Sequence, residues 1–260
     1  MKTNMLKGKL ARRDKALGCW LFINHPVVAE IIGVSGFDCV MIDHEHGPGS
    51  FESAIGLLQA IRAAGDTTCL MRVPSNDPVY IKRALDIGVE GVMVPMVDTP
   101  EQARAAVAAC RYPPDGIRGC ASPLVRASRY GLEESAYLDA INDNLVIICQ
   151  IESQRGIDNA EAIAAVDGVD MLFVGPMDLA ASLGYMHERA HPELSAVLDD
   201  LLRRIRAAGR AVGTVPREGA DAASLFAAGY DLVMGPSDIS LLRDGAWRAV
   251  RALKSSERGV

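Results

Sequence analysis

The sequence predicts an α/β protein built as one (β/α)8 barrel of the TIM type. Three observations carry this. A local pattern recurs, in which a helix-like stretch ends near a glycine and a short apolar run follows. The apolar runs are continuous rather than alternating, which suits strands covered on both faces. The runs number eight and are separated by helix-like segments. Such alternation favours parallel pairing through right-handed crossovers. The 260 residues read as one domain, 1–260, with a short N-terminal leader, and a barrel of this type needs roughly 250.

The elements follow in order. The leader, residues 1–18, carries Lys2, Lys7, Lys9, Arg12, Arg13 and Lys15. The first strand is the run at 17–23. The second closes Ser35-Gly36-Phe37-Asp38-Cys39-Val40-Met41-Ile42. Residues 53–64 then place Ile55, Leu58 and Ile61 on one helical face. The third strand ends Ala64-Gly65-Asp66-Thr67-Thr68-Cys69-Leu70-Met71, and the fourth ends Ile87-Gly88-Val89-Glu90-Gly91-Val92-Met93-Val94. Glycine fits the left-handed position that closes a helix. Asp98-Thr99-Pro100-Glu101 is a helix start, with a capping residue and proline in the first turn. The fifth strand is 145–151, and the sixth ends Asp167-Gly168-Val169-Asp170-Met171-Leu172-Phe173-Val174. Helices at 192–208 and 219–228 bracket a seventh strand, Ala208-Gly209-Arg210-Ala211-Val212-Gly213. The eighth is Ala228-Gly229-Tyr230-Asp231-Leu232-Val233-Met234. A doubly wound open sheet would place a glycine-rich turn after its first strand. Here that position reads Asn24-His25-Pro26.

Composition excludes several function classes. Hydrophobic residues are 49% and charged residues 23%, which excludes a disordered chain. A net charge of −6 argues against nucleic-acid and anionic-membrane partners. No apolar run approaches the roughly 20 residues of a membrane helix. The leader has no apolar stretch of signal-peptide length, so a cytoplasmic protein is expected. None of Cys19, Cys39, Cys69, Cys110, Cys120 and Cys149 forms a C-x-x-C pair. They are expected as small buried hydrophobes in a reducing compartment.

In such a barrel, function belongs to the loops after the strands. Strand 2 runs out at Asp43-His44-Glu45-His46-Gly47-Pro48 and strand 3 at Arg72-Val73-Pro74. Strand 5 ends Gln150-Ile151-Glu152-Ser153 and strand 6 ends Gly175-Pro176-Met177-Asp178-Leu179. Glu152 and Asp178 end consecutive strands, which pair about 4.8 Å apart. Carboxylates that close repel unless a proton or cation lies between them. Two oxygen ligands with open positions suit Mg²⁺ or Mn²⁺. Helix capping is the other role open to Asp178. His44 and His46 beside carboxylates resemble a metal cluster, but zinc prefers three or four neutral or soft ligands. A histidine beside an acid is also the usual general-base pair. Arg72 needs a partner if buried: Glu45, Glu152 or a substrate carboxylate. The six lysines, Lys2, Lys7, Lys9, Lys15, Lys82 and Lys254, all avoid strand ends, which disfavours Schiff-base chemistry.

Taken in order, these segments resemble the HpcH/HpaI aldolases, the class II pyruvate aldolases that include 4-hydroxy-2-oxoheptanedioate and 2-keto-3-deoxy sugar-acid aldolases. Further carriers are Gly36-Phe37-Asp38, Leu85-Asp86-Ile87-Gly88, Val94-Pro95-Met96-Val97 and Arg111-Tyr112-Pro113-Pro114-Asp115-Gly116-Ile117-Arg118-Gly119. The resemblance spans residues 17–245. It implies a carbon–carbon lyase that reversibly cleaves a 4-hydroxy-2-oxo acid to pyruvate and an aldehyde through a metal-stabilised enolate. Glu152 and Asp178 would bind the divalent metal, Mg²⁺ or Mn²⁺ and in some relatives Co²⁺. Gln150 and the backbone around Met177 and Asp178 would hold pyruvate, and Trp20 would line its pocket. Arg72 would stabilise enolate charge. His46 would act as base, supported by Asp86 or by Asp43. Helical spacing places Asp86 near a helix C-terminus, away from the mouth. No organic cofactor is implied. Relatives of this fold run citrate-forming condensation or oxaloacetate decarboxylation in the same site, in some cases without metal. A barrel that only binds small acids, or one that takes a phosphosugar at Gly235-Pro236-Ser237, is the reading from a different class. The family further implies a homo-oligomer, often a hexamer, with C-terminal helix exchange around Leu241-Leu242-Arg243-Asp244-Gly245-Ala246-Trp247.

Overall fold

The structure is a computed structural model and describes residues 3–188 and 190–256. Lys2 of the leader and the last four residues of the expected domain lie outside that range. Eight parallel strands close a barrel in the order β1 to β8. The chain runs α1 (Met5–Arg12), β1 (Ala16–Leu21), α2 (Pro26–Val34), β2 (Cys39–Asp43), α3 (Phe51–Ala64), β3 (Thr68–Arg72), α4 (Pro78–Asp86) and β4 (Gly91–Val94). It continues with α5 (Pro100–Cys110), a 3₁₀ turn (Arg126–Ser128), α6 (Glu134–Asn144), β5 (Val146–Ile151), α7 (Gln154–Asp158), α8 (Ala160–Ala164) and β6 (Met171–Val174). Then come α9 (Pro176–Ser182), α10 (Pro192–Ala207), β7 (Ala211–Thr214), α11 (Ala222–Ala228), β8 (Leu232–Ser237) and α12 (Asp238–Ser256).

All eight expected strands form, most of them within a residue or two of the apolar runs. The helix starts are chemical. Thr99 and Gln102 make a capping box with Pro100 at the first helical position of α5. Ser50 and Ser53 do the same for α3, which therefore begins two residues before the expected position 53. The expected helix at 219–228 starts only at Ala222, because the Asp221 side chain caps there.

Two apolar cores result. One lies between the strands and the helices. The other fills the barrel with Trp20, Met41, Leu70, Met93, Ile148, Met171, Phe173 and Met234. Side chains of two strands must share this narrow space, so Gly18 faces Met234; a Cβ on Gly18 would lie 2.2 Å from the Met234 sulfur. The leader folds as α1, whose Leu6 and Leu10 join the inner core. Asn4 caps α1 and its amide donates to the carbonyls of Glu90 (2.7 Å) and Asn144 (2.8 Å). Lys9 pairs with Asp38 at 2.6 Å. The leader thus plugs the N-terminal end of the barrel, which leaves the C-terminal end as the mouth.

Candidate active site

Strand register sets the geometry of the mouth. Asp43 and Arg72 are partners across β2 and β3. Inward positions alternate along each strand, so Trp20, Asp43, Arg72, Gln150 and Glu152 continue the columns that begin in the inner core. Arg72 is nearly buried. Its Nε donates to Asp43 Oδ1 at 3.2 Å, and Nη2 bonds Asp43 Oδ2. Its Nη1 forms an ion pair with Glu45 Oε2 at 3.0 Å. The indole of Trp20 covers its face, 4.6 Å from ring centre to guanidinium. Phe173 meets the same indole edge-on at 6.1 Å.

Asp43 also folds the loop behind it. Its Oδ1 accepts the backbone N–H of Glu45 (2.9 Å) and of His46 (3.1 Å). The chain then turns so tightly that a Cβ on Gly47 would lie 2.2 Å from the Asp43 carbonyl oxygen. This turn carries Glu45 half-buried beside Arg72 and leaves the His46 ring exposed, with Nε2 3.9 Å from Glu45 Oε2. Burial pushes the Glu45 carboxyl up, against the pull of Arg72 and His46. His44 does not join His46. It is buried on the outer side of β2, where Nδ1 shares a hydrogen bond of 2.9 Å with the Tyr80 hydroxyl. Burial lowers its pKa, which favours a neutral ring.

Glu152 is 3% exposed at the end of β5. Gln150 Nε2 donates to its Oε1 at 2.5 Å, and the Met96 N–H donates to its Oε2 at 3.1 Å. Met96 reaches it through a left-handed backbone, φ 52°, which a non-glycine residue adopts at a cost of about 1–3 kcal/mol. Gly175 leaves the other side open: a Cβ there would sit 2.8 Å from Glu152 Oε1. Burial, with Glu45 and Asp178 adding negative charge nearby, pushes the Glu152 carboxyl up to about 8. Asp178 lies in the first turn of α9, exposed like the adjoining Met177. Asp238, at the start of α12, accepts the N–H of Phe22 and of Ile23 and ties the end of β1 to that helix.

The mouth therefore gathers Trp20, Asp43, His46, Arg72, Gln150, Glu152, Met177 and Asp178. It does not gather Asp86 within the chain. That residue ends α4, which runs back from the mouth, and its carboxylate accepts from Arg118 Nη2 at 2.7 Å. Asp43 supports the His46 backbone rather than its ring, and the carboxylate nearest the ring is Glu45. The sequence reading named Glu45 as a possible partner of Arg72 and as one of the carboxylates beside His46, without choosing it as the base's support. It quoted Met96 only within Val94-Pro95-Met96-Val97 and gave it no role, and it did not name Asp238, because a backbone N–H and a cap on a neighbouring strand leave no residue-type signal.

The donor set near Glu152 is rich in hard oxygen atoms and poor in cations. Arg72 is occupied by Asp43 and Glu45. Gln150 Oε1 is buried without a hydrogen-bond partner. Among the described residues, no three His, Cys, Asp or Glu side chains converge to hold a metal by themselves. Glu152 and Asp178 are hard oxygen donors of the type that Mg²⁺ or Mn²⁺ takes together with water.

The HpcH/HpaI aldolase/citrate lyase family model matches residues 16–244. A 5-keto-4-deoxy-D-glucarate aldolase of Shigella dysenteriae serotype 1 is 39% identical over 251 residues, covering 96% of this chain and 97% of that one. A hydroxypyruvate/pyruvate aldolase of Chromohalobacter salexigens is 43% identical over 241 residues, covering 93% and 94%. The crystal structure of an HpcH/HpaI aldolase/citrate lyase family protein from Burkholderia cenocepacia superposes with a TM-score of 0.92 at 38% identity, covering 97% of this chain and all of that one. The chain belongs to the HpcH/HpaI aldolase/citrate lyase family and is a carbon–carbon lyase.

Proposed function

We propose that this protein is a class II pyruvate aldolase, cleaving and forming a 4-hydroxy-2-oxo acid. The observation that carries the reading is Glu152. It is a buried carboxylate without a cation of its own, beside Asp178 and one ion pair away from a positioned guanidinium. Glu152 and Asp178 would hold a divalent cation, Mg²⁺ or Mn²⁺ by ligand type, which would supply Lewis acidity to the 2-oxo acid. This chemistry calls for no organic cofactor.

The side chains divide the remaining work. Gln150 and the backbone at Met177 and Asp178 hold the 2-oxo acid at the head of α9. His46 takes the proton from the C4 hydroxyl. The C3–C4 bond breaks, its electron pair passes to C3, and C4 leaves as the aldehyde. Negative charge collects on the C2 oxygen, where Arg72 supplies fixed positive charge. Asp43 and Trp20 keep the guanidinium in place. His46 returns the proton to C3 and pyruvate is released. Glu45, next to the ring, stabilises the protonated imidazole.

The direct test is exchange of pyruvate methyl protons with deuterated water, followed by NMR. Exchange is expected with Mg²⁺ or Mn²⁺ present and not after chelation. No exchange across a series of divalent ions overturns the reading. A screen of 4-hydroxy-2-oxo acids for retro-aldol cleavage then assigns the substrate.

Two wider points belong with this proposal. All six cysteines are free thiols, five of them buried, which supports a reducing, cytoplasmic setting. Ile239, Leu242, Trp247, Val250 and Leu253 of α12 are exposed, which supports a homo-oligomer in which this helix packs on or exchanges with a second copy. No described helix is long and apolar enough to cross a membrane.

A further inference from the structure

A cavity of about 720 Å³ opens on the outer wall of the barrel, at the end opposite the mouth. Glu90 and Leu145, which precede β4 and β5, border it, as does Asn4 at the cap of α1. Its lining holds three arginines, Arg62, Arg126 and Arg129, and two glutamates, Glu90 and Glu133. Both glutamates are engaged. Glu90 Oε2 accepts the Cys69 N–H at 2.9 Å, and Glu133 pairs with Arg129 at 2.5 Å. The wall beside them is apolar, with Leu85, Val89, Ile141 and Leu145 buried in it.

Arg62 and Arg126 are placed differently from Arg129. Gly88 closes α4 at φ 91°, and the 3₁₀ turn packs on it so closely that a Cβ there would lie 3.2 Å from Arg126 Nη1. Arg126 is thereby half-buried, and its Nη1 donates to the Ile87 carbonyl at 2.7 Å. Among the described residues no carboxylate pairs with it. Arg62, from α3, reaches the same helix end. Its Nη2 donates to the Gly88 carbonyl at 3.4 Å and lies 3.9 Å from Glu90 Oε1. Burial, and then the charge of Arg62, lower the pKa of Arg126. Arginines near a helix end commonly bond its last carbonyls, and one N–H of each does so here. A guanidinium has five N–H donors, so most of each fork is left over. Two like charges that share one long ion pair are relieved by an anion between them.

We propose that this cavity is a second ligand site, and that its ligand is a small oxyanion carried on an apolar body. The phosphate or carboxylate head takes the remaining donors of Arg62 and Arg126, whose planar forks match the oxygens of such groups. The apolar body covers Leu85, Val89 and Ile141 and gains by burial. The volume is that of a small-molecule site. The cavity lies a barrel's length from the mouth, so its ligand does not depend on the aldolase chemistry there.

The experiment titrates phenyl phosphate, 3-phenylpropanoate and inorganic phosphate into the full-length protein and follows binding by calorimetry. The two aromatic anions are expected to saturate a single site per chain, and the tighter of them names the head group. Inorganic phosphate should bind about tenfold more weakly than phenyl phosphate, or worse. Arg62→Gln and Arg126→Gln should each weaken phenyl phosphate about tenfold, and Arg72→Gln at the mouth should leave it unchanged. Gln59→Lys, one helical turn before Arg62 on α3, adds a cation to the lining. It should tighten binding several-fold, a gain that misfolding cannot produce. No binding of either aromatic anion at millimolar concentration overturns the proposal. So does an affinity that Arg62→Gln and Gln59→Lys both leave unchanged. Weakening by Arg72→Gln in place of the distal variants puts the ligand at the mouth and overturns it as well. Inorganic phosphate binding as tightly as phenyl phosphate overturns the apolar body.

Discussion

Two arginines, one at each end of the barrel, do similar things for different purposes. Arg72 and Arg118 are both buried, both paired with carboxylates, and both stacked on an aromatic ring, at 4.6 Å and 4.5 Å. Arg118 has one carboxylate, Asp86, and is enclosed by Tyr112 and Tyr137. Its charge is balanced and no solvent reaches it. Arg72 has two carboxylates, with Glu152 and Asp178 beyond them, and it faces an opening. The mouth therefore holds more negative charge than its own cations neutralise. An ion cluster that is closed and balanced ties chain segments together. One that is open and unbalanced is built to receive a charged ligand.

The comparison can be broken at either end. The largest effect is expected at the closed cluster. Arg118→Ala removes the cation bonded to Asp86 among the described residues and leaves a void, so stability should fall by about 3–5 kcal/mol in denaturant melts. A variant that melts like the parent would show that Arg118 ties nothing together. At the mouth, Arg72→Lys keeps the charge but loses the two-edged grip on Asp43 and Glu45. Its kcat/KM should drop about 10²–10³-fold, the usual effect of removing one preorganised charge-stabilising donor. Near-parental turnover would remove Arg72 from the chemistry.

A smaller effect concerns pH. Glu152 has a carboxyl raised to about 8, so without metal the folded state binds more protons than the unfolded chain between its ordinary value and 8. Stability from this group is complete at low pH and is lost as pH rises through that window. Metal binding must displace the proton. Apparent Mg²⁺ or Mn²⁺ affinity, read by calorimetry, should therefore rise about tenfold per pH unit up to 8. The slope should vanish in Glu152→Gln. A flat profile in the parent would mean that Glu152 is not a ligand. The smallest effect is at Tyr112, whose buried hydroxyl has no hydrogen-bond partner. Tyr112→Phe should leave stability within about 1 kcal/mol of the parent, or slightly higher. A larger loss would show that the closed cluster depends on that hydroxyl.

Much of the molecule is legible along the chain because its signals are local. A glycine ends a helix and an apolar run begins a strand within a few residues, so eight units can be counted without knowing how they meet. The strand-end positions of Asp43, Arg72, Glu152 and Asp178 follow from the same count. The α1 helix was not legible in this way. Leu6 and Leu10 read as incidental apolar residues in a basic leader until the barrel interior that receives them exists. Nor were the exposure of His46 and the burial of His44, two residues apart in one motif. Their fates depend on whether the chain is still pleated or has begun the turn over Gly47.

What the sequence determined by itself is the alternation of strands and helices, the parallel closed sheet it favours, and the residue types delivered to one end. What only the tertiary structure decided is which of those groups touch. Asp43 and Glu45, not Glu152, neutralise Arg72. Met96 offers its backbone to Glu152, and Asp86 turns to Arg118. These contacts join residues tens of positions apart. They are set by strand register and barrel closure, and electrostatic interaction depends on separation in space and on burial, neither of which a linear pattern records.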